Sequence, residues 1–228
     1  TNANFTGNNA TNDLSFPLDT KSETRGGAIA IDGNRSKIYN ATFSKNTAVG
    51  NPRLSYGGAI AIEGNNTELN NTDFEFNQAI KGGAIYYKGT LNDILETEFR
   101  NNSAIQGGAL YIDKSDATFG KSRFYNNSAT HELRFTNSFN NTPTMGGAIN
   151  IPGNGINVYE SEFINNTAYD INETGGLGGA IAVNGSDDTT KNSTFENNQA
   201  IKGGAFYLNG DKTRIIDSNF TDNRAIQG

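Results

Sequence analysis

The stretch from Gly82 to Gln106, GGAIYYKGTLNDILETEFRNNSAIQ, contains the pattern that the rest of the chain follows. It opens on Gly-Gly-Ala-Ile, reaches Phe99 17 residues after the first glycine, and has Asn102 three residues further on. At Gly107 the same pattern begins again, 25 residues after Gly82. A fixed period of this length is typical of a solenoid, in which each repeat buries its apolar face against its neighbours.

Seven copies of the Gly-Gly-Ala opening occur, and each keeps the same distance to a phenylalanine and an asparagine. The openings begin at Gly26, Gly57, Gly82, Gly107, Gly146, Gly178 and Gly203. The phenylalanines are Phe43, Phe74, Phe99, Phe124, Phe163, Phe195 and Phe220. Phe5 and Asn8 match the end of an eighth copy. The chain therefore divides into about eight repeats of one unit.

The composition limits what such a chain can be. Only 34% of the residues are hydrophobic, so we expect a thin, continuous core with one layer per repeat. The absence of cysteine excludes disulfides, thiol chemistry and cysteine metal ligands. A net charge of −6 argues against a nucleic-acid partner, since such binding depends on Lys and Arg. Both ends fall inside a repeat, so we expect any targeting segment or membrane anchor to lie outside this fragment of a longer array.

Each unit has the pattern of three short strands joined by tight bends. Large apolar side chains alternate after Gly-Gly-Ala, as in Ile29-Ala30-Ile31, which is the period of a strand with one buried face. A second strand carries a central apolar residue such as Ile94, and a third places a small residue and the phenylalanine on one face, as in Ala41-Thr42-Phe43. Glycines at the strand starts leave no room for a helix of ordinary length. We predict an all-β solenoid whose coils pair in parallel about 4.8 Å apart.

The recurring asparagines predict an amide ladder along the solenoid. In stacked coils each amide can donate to one neighbour and accept from the other. Asparagine also tolerates the left-handed backbone of a sharp bend. The ladder is expected at Asn46, Asn77, Asn102, Asn127, Asn166, Asn198 and Asn223.

Departures from the 25-residue period occur at one corner of the unit only. From the phenylalanine to the next Gly-Gly the spacing is 8 residues in three copies and 21, 14, 22 and 15 in the others. The extra residues number 13, 6, 0, 0, 14, 7 and 0, a series that repeats after four coils. We therefore expect one domain, 1–228, made of two super-repeats of approximately 1–119 and 120–228.

The pairing of G-G-A-[ILVF] with F-x-x-N resembles the repeat of chlamydial polymorphic outer membrane proteins and of large adhesin-like surface proteins of bacteria and methanogenic archaea. The resemblance covers all 228 residues. It implies a right-handed parallel β-helix in an extracellular, surface-located adhesin, as in bacterial autotransporter passengers. The lack of cysteine and the abundance of asparagine differ from the chlamydial members and favour the archaeal or another prokaryotic group. Leucine-rich repeats also have an asparagine ladder, but they need leucine at several fixed places where this chain has few.

The two longest insertions, Asn9 to Arg25 and Ser128 to Met145, are the candidate recognition sites, because insertions in solenoids cluster on the binding face. Their aromatic and basic residues are the predicted ligand contacts: Phe16, Arg25, Arg134, Phe135 and Phe139. In the alternative reading, the apolar residues anchor the loops against the coil: Leu14, Phe16, Leu133 and Phe135. The expected partner is an unidentified protein or glycan on a host or microbial cell.

Two other functions stay open, namely a polysaccharide lyase or hydrolase and a structural cell-envelope stalk without a ligand. Enzymes with this fold use carboxylates with Lys or Arg and often Ca²⁺. The outward residues of the first strand include no group that titrates near neutrality: Ala30, Ala61, Tyr86, Tyr111, Asn150, Ala182 and Tyr207. Carboxylates beside the third strand fit a solvated outer face, and His131 is the only histidine. We predict no catalytic residue, no metal and no cofactor.

Overall fold

The chain winds into a parallel β-helix, which confirms the predicted fold class. The computed structural model describes residues 2–11, 23–50, 54–90, 92–114, 116–133, 142–170 and 175–227. Within these ranges every regular element is a β-strand, and all strand pairs are parallel. The described part of the chain has no helix that could cross a membrane.

Three sheets correspond to the three predicted strands of the unit, and in each sheet a strand pairs with its equivalent one coil away. The first sheet, after Gly-Gly-Ala, consists of Ile29–Ile31, Ile60–Ile62, Ile85–Tyr87, Leu110–Ile112, Ile149–Ile151, Ile181–Val183 and Phe206–Leu208. The second sheet consists of Lys37–Tyr39, Glu68–Asn70, Asn92–Leu95, Ala117–Gly120, Asn157–Tyr159, Thr189–Lys191 and Arg214–Ile216. The third sheet consists of Ala3–Thr6, Ala41–Ser44, Asp73–Glu75, Glu98–Arg100, Arg123–Tyr125, Glu162–Ile164, Thr194–Glu196 and Asn219–Thr221.

Each coil also contains short pairings that we did not predict, so three strands per coil was too few. A fourth sheet consists of Ser103–Ala104, Ser128–Ala129, Thr167–Ala168, Gln199–Ala200 and Arg224–Ala225, and Asn9–Thr11 pairs with Thr47–Val49 in the equivalent position. A fifth row, just before Gly-Gly, starts with Thr24–Arg25 paired to Ser55–Tyr56 and continues as single bridges up to Lys202. Segments of two residues or fewer are too short to show the alternation by which a strand is recognised in a sequence.

The two glycines of each opening are required for different reasons. Gly82 has a φ of +64°, in the left-handed region that glycine adopts most easily. Gly83 has no unusual φ, but a Cβ atom there would collide with the carbonyl oxygen of Gly108 in the next coil. The alanine that follows, Ala84, is fully buried. Gly-Gly-Ala is therefore the consequence of a close approach between neighbouring coils.

The phenylalanines form a continuous stack through the core. Neighbouring rings from Phe5 to Phe220 lie with their centroids 4.6–5.0 Å apart and within 8° of parallel. The rings from Phe43 to Phe195 are fully buried, and the inward residues of the first and second sheets complete each layer. The core is thus one layer deep per coil, as the modest apolar content leads one to expect.

The asparagines after the phenylalanines form an amide ladder at the positions named above. Asn102 Nδ2 donates to Asn127 Oδ1 and to the carbonyl oxygen of Phe74, both at 3.0 Å. Its Oδ1 accepts from the side-chain and backbone nitrogens of Asn77, both at 3.0 Å. The same pattern runs from Asn8 to Asn223. Each amide in the middle of the stack is fully buried and makes four hydrogen bonds.

In the bend after the third strand, the residue with the left-handed backbone is not the ladder asparagine. The expectation that the ladder asparagine adopts this conformation was therefore wrong. The residue before it has the positive φ, as at Asn101 (54°), Asn126 (54°) and Phe76 (55°). The buried asparagine is needed for the hydrogen bonds of its amide, whereas the residue before it has only to adopt the left-handed backbone conformation. Asparagine does this better than most residues, which explains the frequent Asn-Asn pairs.

Replacing Asn102 with alanine should lower the free energy of unfolding by about 1–3 kcal/mol, because the groups of Asn77, Phe74 and Asn127 lose buried partners. Asn8→Ala is the matched control, since Asn8 is exposed and water can replace its bonds. Urea unfolding of the two variants measures the difference. Equal losses at the two positions would contradict an amide ladder.

The carboxyl group of Asp188 predicts a pH dependence of stability. Its Oδ1 accepts from the Ile156 backbone nitrogen at 2.9 Å, and its Oδ2 is buried without a partner among the described residues. Burial raises the pKa of Asp188 to about 6, from an ordinary value of 3.8. The folded protein then holds this proton more tightly than the unfolded chain does. The stabilising contribution of Asp188 is therefore present below about pH 4 and lost as the pH rises to about 6.

Asp188→Asn should remove this pH-dependent loss of stability, because the amide keeps the Oδ1 acceptor and carries no charge. The loss in the parent chain amounts to at most about 3 kcal/mol. The measurement is thermal unfolding at pH 4 and at pH 7. Asp187→Asn, at the exposed neighbour whose charge makes a smaller contribution to the shift than burial, should keep most of the fall seen in the parent chain. If Asp188→Asn and the parent chain lose equal stability between the two pH values, the assignment to Asp188 is wrong.

Candidate functional site

All insertions leave the solenoid at one corner, between the fourth sheet and the row before Gly-Gly. Ser128–Ala129 pairs with Ser103–Ala104, and Met145 pairs with Gln106, so the intervening residues are extra to the coil. Counted against a coil without an insertion, the extra residues are 11–23, 49–54, 130–143 and 169–175, which number 13, 6, 14 and 7. Thr11 and Val49, the first residues of two insertions, still pair with each other.

Of the five predicted ligand contacts, Phe16, Arg134, Phe135 and Phe139 lie outside the described residues. Arg25 lies in the row before Gly-Gly, and its side chain is 28% exposed. Its Nη1 lies 2.9 Å from Glu63 Oε1 and 3.2 Å from Asp32 Oδ1, and its Nε lies 4.0 Å from Glu23 Oε2. Arg25 thus holds three carboxylates together on the surface of the rod, and ligand binding by this residue stays a prediction.

One of the apolar residues considered as an anchor is described, and it does anchor its insertion. Leu133 is 6% exposed and packs with Ile80 and Ile105 in a small cluster separate from the main core. The backbone nitrogen of Thr130 donates to the carbonyl oxygen of Ala104 at 2.7 Å. The first residues of the insertion 130–143 are therefore fixed against the preceding coils.

A second set of contacts joins this insertion to the next one along the rod. His131 Nδ1 lies 3.6 Å from Asp170 Oδ1, whose side chain is fully buried, and His131 Nε2 lies 2.8 Å from the carbonyl oxygen of Thr142. Thr144 Oγ1, just after the insertion, accepts from the backbone nitrogen of Gly176 at 2.9 Å. The described residues of the insertions 130–143 and 169–175 therefore contact each other across adjacent coils.

The outer face of the first sheet carries a cluster of side chains that we did not predict as a site. We call Tyr56, Lys81, Tyr86, Tyr111 and Asp113 the tyrosine cluster. The ring centroids of Tyr56 and Tyr86 are 4.5 Å apart, and those of Tyr86 and Tyr111 are 5.6 Å apart. Lys81 Nζ lies 4.6 Å from the ring centroid of Tyr111 and 5.9 Å from that of Tyr56, and donates to Tyr111 Oη at 3.2 Å. Tyr86 Oη donates to Asp113 Oδ2 at 3.1 Å.

The members of the tyrosine cluster differ in exposure. Tyr86 and Tyr111 are only 5% and 6% exposed, whereas Tyr56 and Lys81 are partly exposed and Asp113 is exposed. Burial raises the pKa of all three tyrosines, so their hydroxyl groups stay protonated at neutral pH. Burial also lowers the pKa of Lys81, a shift that the charge of Asp113 opposes. Two buried rings therefore support a third ring and a partly desolvated ammonium group at the surface.

An ion network extends the tyrosine cluster toward the first coils. Lys88 Nζ lies 3.6 Å from Glu63 Oε1, the same oxygen that contacts Arg25 Nη1. The strand that contains Arg25 pairs with the strand that contains Tyr56. The strand just before Asp32 likewise pairs with the strand just before Glu63. The cluster and the network therefore form one surface across four neighbouring coils.

The tyrosine cluster was missed because its members come from three different positions of the repeat. Tyr86 and Tyr111 are outward residues of the first sheet, but Tyr56 and Lys81 stand just before Gly-Gly and Asp113 stands just after the strand. We had considered only the outward residues of the strand itself. Aromatic or charged residues just before Gly-Gly were the signal that could have revealed the cluster.

Two of the carboxylates beside the third strand, Glu98 and Glu162, are paired with nearby donors. Glu98 Oε1 lies 3.2 Å from Arg100 Nε, and Glu162 Oε2 lies 3.4 Å from Arg123 Nε and accepts from Tyr125 Oη at 2.7 Å. Burial and the bond to Glu162 raise the pKa of Tyr125 to about 12. In the described ranges no group of three or more His, Asp or Glu side chains could hold a metal ion. The expectation that the chain is not an enzyme stays a prediction.

Three segments of the chain match the Chlamydia polymorphic membrane protein repeat. The matched residues are 40–63, 96–113 and 192–209. Each segment contains the phenylalanine, the ladder asparagine, the next Gly-Gly-Ala and the first-sheet strand that follows it. The resemblance found from the two motifs is thereby confirmed, and the matches cover the two features that hold neighbouring coils together. No curated protein and no solved structure matched the chain significantly.

Replacing Leu133 with alanine should expose the insertion 130–143 to trypsin, which can cut after Arg134. The lost contact with Ile80 and Ile105 is of the kind that stabilises by about 2–5 kcal/mol, so the cleavage rate should rise at least about tenfold. The rate is followed by mass spectrometry of the fragments. Glu132→Ala, at an exposed position in the same loop, should cleave at the parental rate. An unchanged rate for Leu133→Ala would show that this side chain does not hold the loop.

Proposed function

We propose that this chain is the adhesive rod of a cell-surface protein, which presents its corner insertions to a protein or glycan on a host or microbial cell. The observation that carries the proposal is that all four insertions leave a stacked scaffold at one corner. Insertions that served only to connect strands would have no reason to share an edge. A row of loops along one side of a rod is the arrangement expected of a binding face.

The scaffold suits this role because it is regular and holds described residues of one long insertion in place. Eight strands stack in the third sheet, which corresponds to a rod about 40 Å long at about 4.8 Å per coil. Leu133 ties one long insertion to the coil, and the contact of His131 with Asp170 ties it to its neighbour. Loops held in this way lose less conformational entropy on binding than free loops do.

The spacing of the insertions adds a second argument. The two longest insertions, 11–23 and 130–143, are four coils apart, or about 19 Å along the rod. Equivalent sites at a constant spacing can engage a surface with several copies of a ligand at once. Weak individual contacts then add up to strong attachment, which is what an adhesin needs.

Removal of the long insertions tests the proposal. Joining Ala10 to Thr24 and Ala129 to Thr144 gives both coils the spacing of Ala104 to Ile105 in an uninterrupted coil. Beads coated with this variant should attach to cultured epithelial cells and to bacterial lawns at least about tenfold less than beads coated with the parent chain.

The matched control removes the short insertions 49–54 and 169–175 instead, and should keep most of the attachment. Circular dichroism establishes that both variants keep the β-sheet scaffold. Attachment that survives the loss of the long insertions would exclude them as the recognition sites. A parent chain that attaches to none of the surfaces would favour a structural stalk.

A further inference from the structure

We propose that the tyrosine cluster is a binding site for a neutral oligosaccharide that lies across the outer face of the first sheet. The inference rests on the proposed adhesive function, since it gives the rod a ligand class and a contact surface apart from the corner insertions. The cluster consists of Tyr56, Lys81, Tyr86, Tyr111 and Asp113, and Gln106 adjoins it.

The first argument is the partly exposed ring of Tyr56. It stacks on Tyr86 at 4.5 Å, and Tyr86 in turn stacks on Tyr111, so this ring is held by two buried ones. A fixed aromatic ring with an apolar face and a polar tip loses little conformational freedom on binding. A pyranose ring has the matching surface, with C–H groups on its faces and hydroxyl groups around its edge.

The second argument is the mixture of hydrogen-bond donors and acceptors beside this ring. The ammonium group of Lys81 has three donors, of which Tyr111 Oη accepts one, and no carboxylate of the described residues forms an ion pair with it. Asp113 is exposed and supplies acceptor oxygens, of which Oδ2 accepts from Tyr86. Gln106 is partly exposed, and its amide, which donates to the carbonyl oxygen of Pro143 at 3.4 Å, has a further donor and an acceptor oxygen. Sugar hydroxyls need both kinds of partner.

The third argument is the balance of charge, which decides between neutral and charged saccharides. The cations of the cluster and its adjoining network are Arg25, Lys81 and Lys88, and the carboxylates are Glu23, Asp32, Glu63 and Asp113. Three positive charges face four negative ones, so neither a polyanion nor a polycation gains from the local field. The net charge of −6 adds a general repulsion of sulfated or uronic chains.

The fourth argument is that the fold does not require this cluster. Residues 77–84 recur unchanged at 198–205, so Lys202 is the equivalent of Lys81 four coils further on. There, Leu177 stands in the place of Tyr56 and pairs with Lys202 as Tyr56 pairs with Lys81. The same backbone thus stacks without a tyrosine ring at this position. The cluster is a property of one place on the rod, as a binding site is.

Titration calorimetry of the intact chain with short linear oligomers of glucose, mannose, galactose and N-acetylglucosamine tests the inference, with oligomers of galacturonic acid as the charged comparison. At least one neutral oligomer should bind, and Tyr56→Ala should lower the affinity for that oligomer about tenfold or more. Lys81→Met should weaken it as well, because the stem stays and the donors are lost. Tyr56→Phe should keep most of the affinity, since the ring is retained.

The controls separate recognition from stability. Lys202→Met makes the same change at the equivalent exposed position and should bind as the parent chain does. Tyr56→Phe and the parent chain should unfold at the same midpoint temperature in thermal unfolding. If Tyr56→Ala loses stability, Tyr56→Leu, which copies the residue at position 177, is the second variant and should fold but still bind about tenfold more weakly.

The outcomes distinguish this inference from the proposed function. Beads that attach to cells while no neutral oligomer binds would overturn the saccharide site and leave the adhesive function standing. Binding that Tyr56→Ala, Tyr56→Leu and Lys81→Met leave unchanged would also overturn it, as would binding of galacturonic acid oligomers alone. Saccharide binding that depends on Tyr56 in a chain that attaches to no cell would support the site and refute the adhesive function. Saccharide binding that survives removal of the long insertions would show that the two surfaces act separately.

Discussion

Parallel pairing in register is the constraint on which the rest of this structure depends. Each coil meets its neighbour at a separation of about 4.8 Å, so every inward side chain lies against the same position of the next coil. A residue that stacks well on a copy of itself is therefore favoured at every inward position. Phenylalanine rings stack face to face, and asparagine amides both donate and accept, so each continues without limit along the axis. Gly-Gly answers the same constraint, because Gly83 leaves room for the backbone of the next coil.

Outward positions are free of this constraint, and there the coils differ. Four coils carry insertions of different lengths at the same corner, and on the outer face of the first sheet the tyrosine cluster occupies only some of the coils. A solenoid separates its two tasks in this way, since the inward residues hold the stack while the outward ones can vary without disturbing it. Candidate recognition surfaces are therefore found where the repeat is broken. Asp188 is a buried carboxyl group that the stack holds at some loss of stability near neutral pH.

The contacts that hold residues of the insertions also depend on the stacking of the coils. The first residues of the insertion 130–143 are held because Leu133 has isoleucines of the previous coils to pack against, and because His131 meets Asp170 of the next insertion. A loop of this size on an isolated coil would have neither neighbour. The contacts that hold the start of this insertion thus arise from the regularity of the scaffold, and the adhesive proposal relies on them.

The sequence by itself determined the repeat, the parallel β-helix, the phenylalanine stack, the asparagine ladder and the single corner for the insertions. It could do so because each of these features places the same residue type at a constant spacing. It did not reveal the two-residue pairings around Ala104, the left-handed residue at Asn101 or the tyrosine cluster. The first is too short to have a period, and the second is set by backbone geometry that several residue types tolerate. The cluster combines Tyr56, Lys81 and Asp113 from different positions of different coils, and only the winding of the chain brings side chains so far apart in sequence within contact.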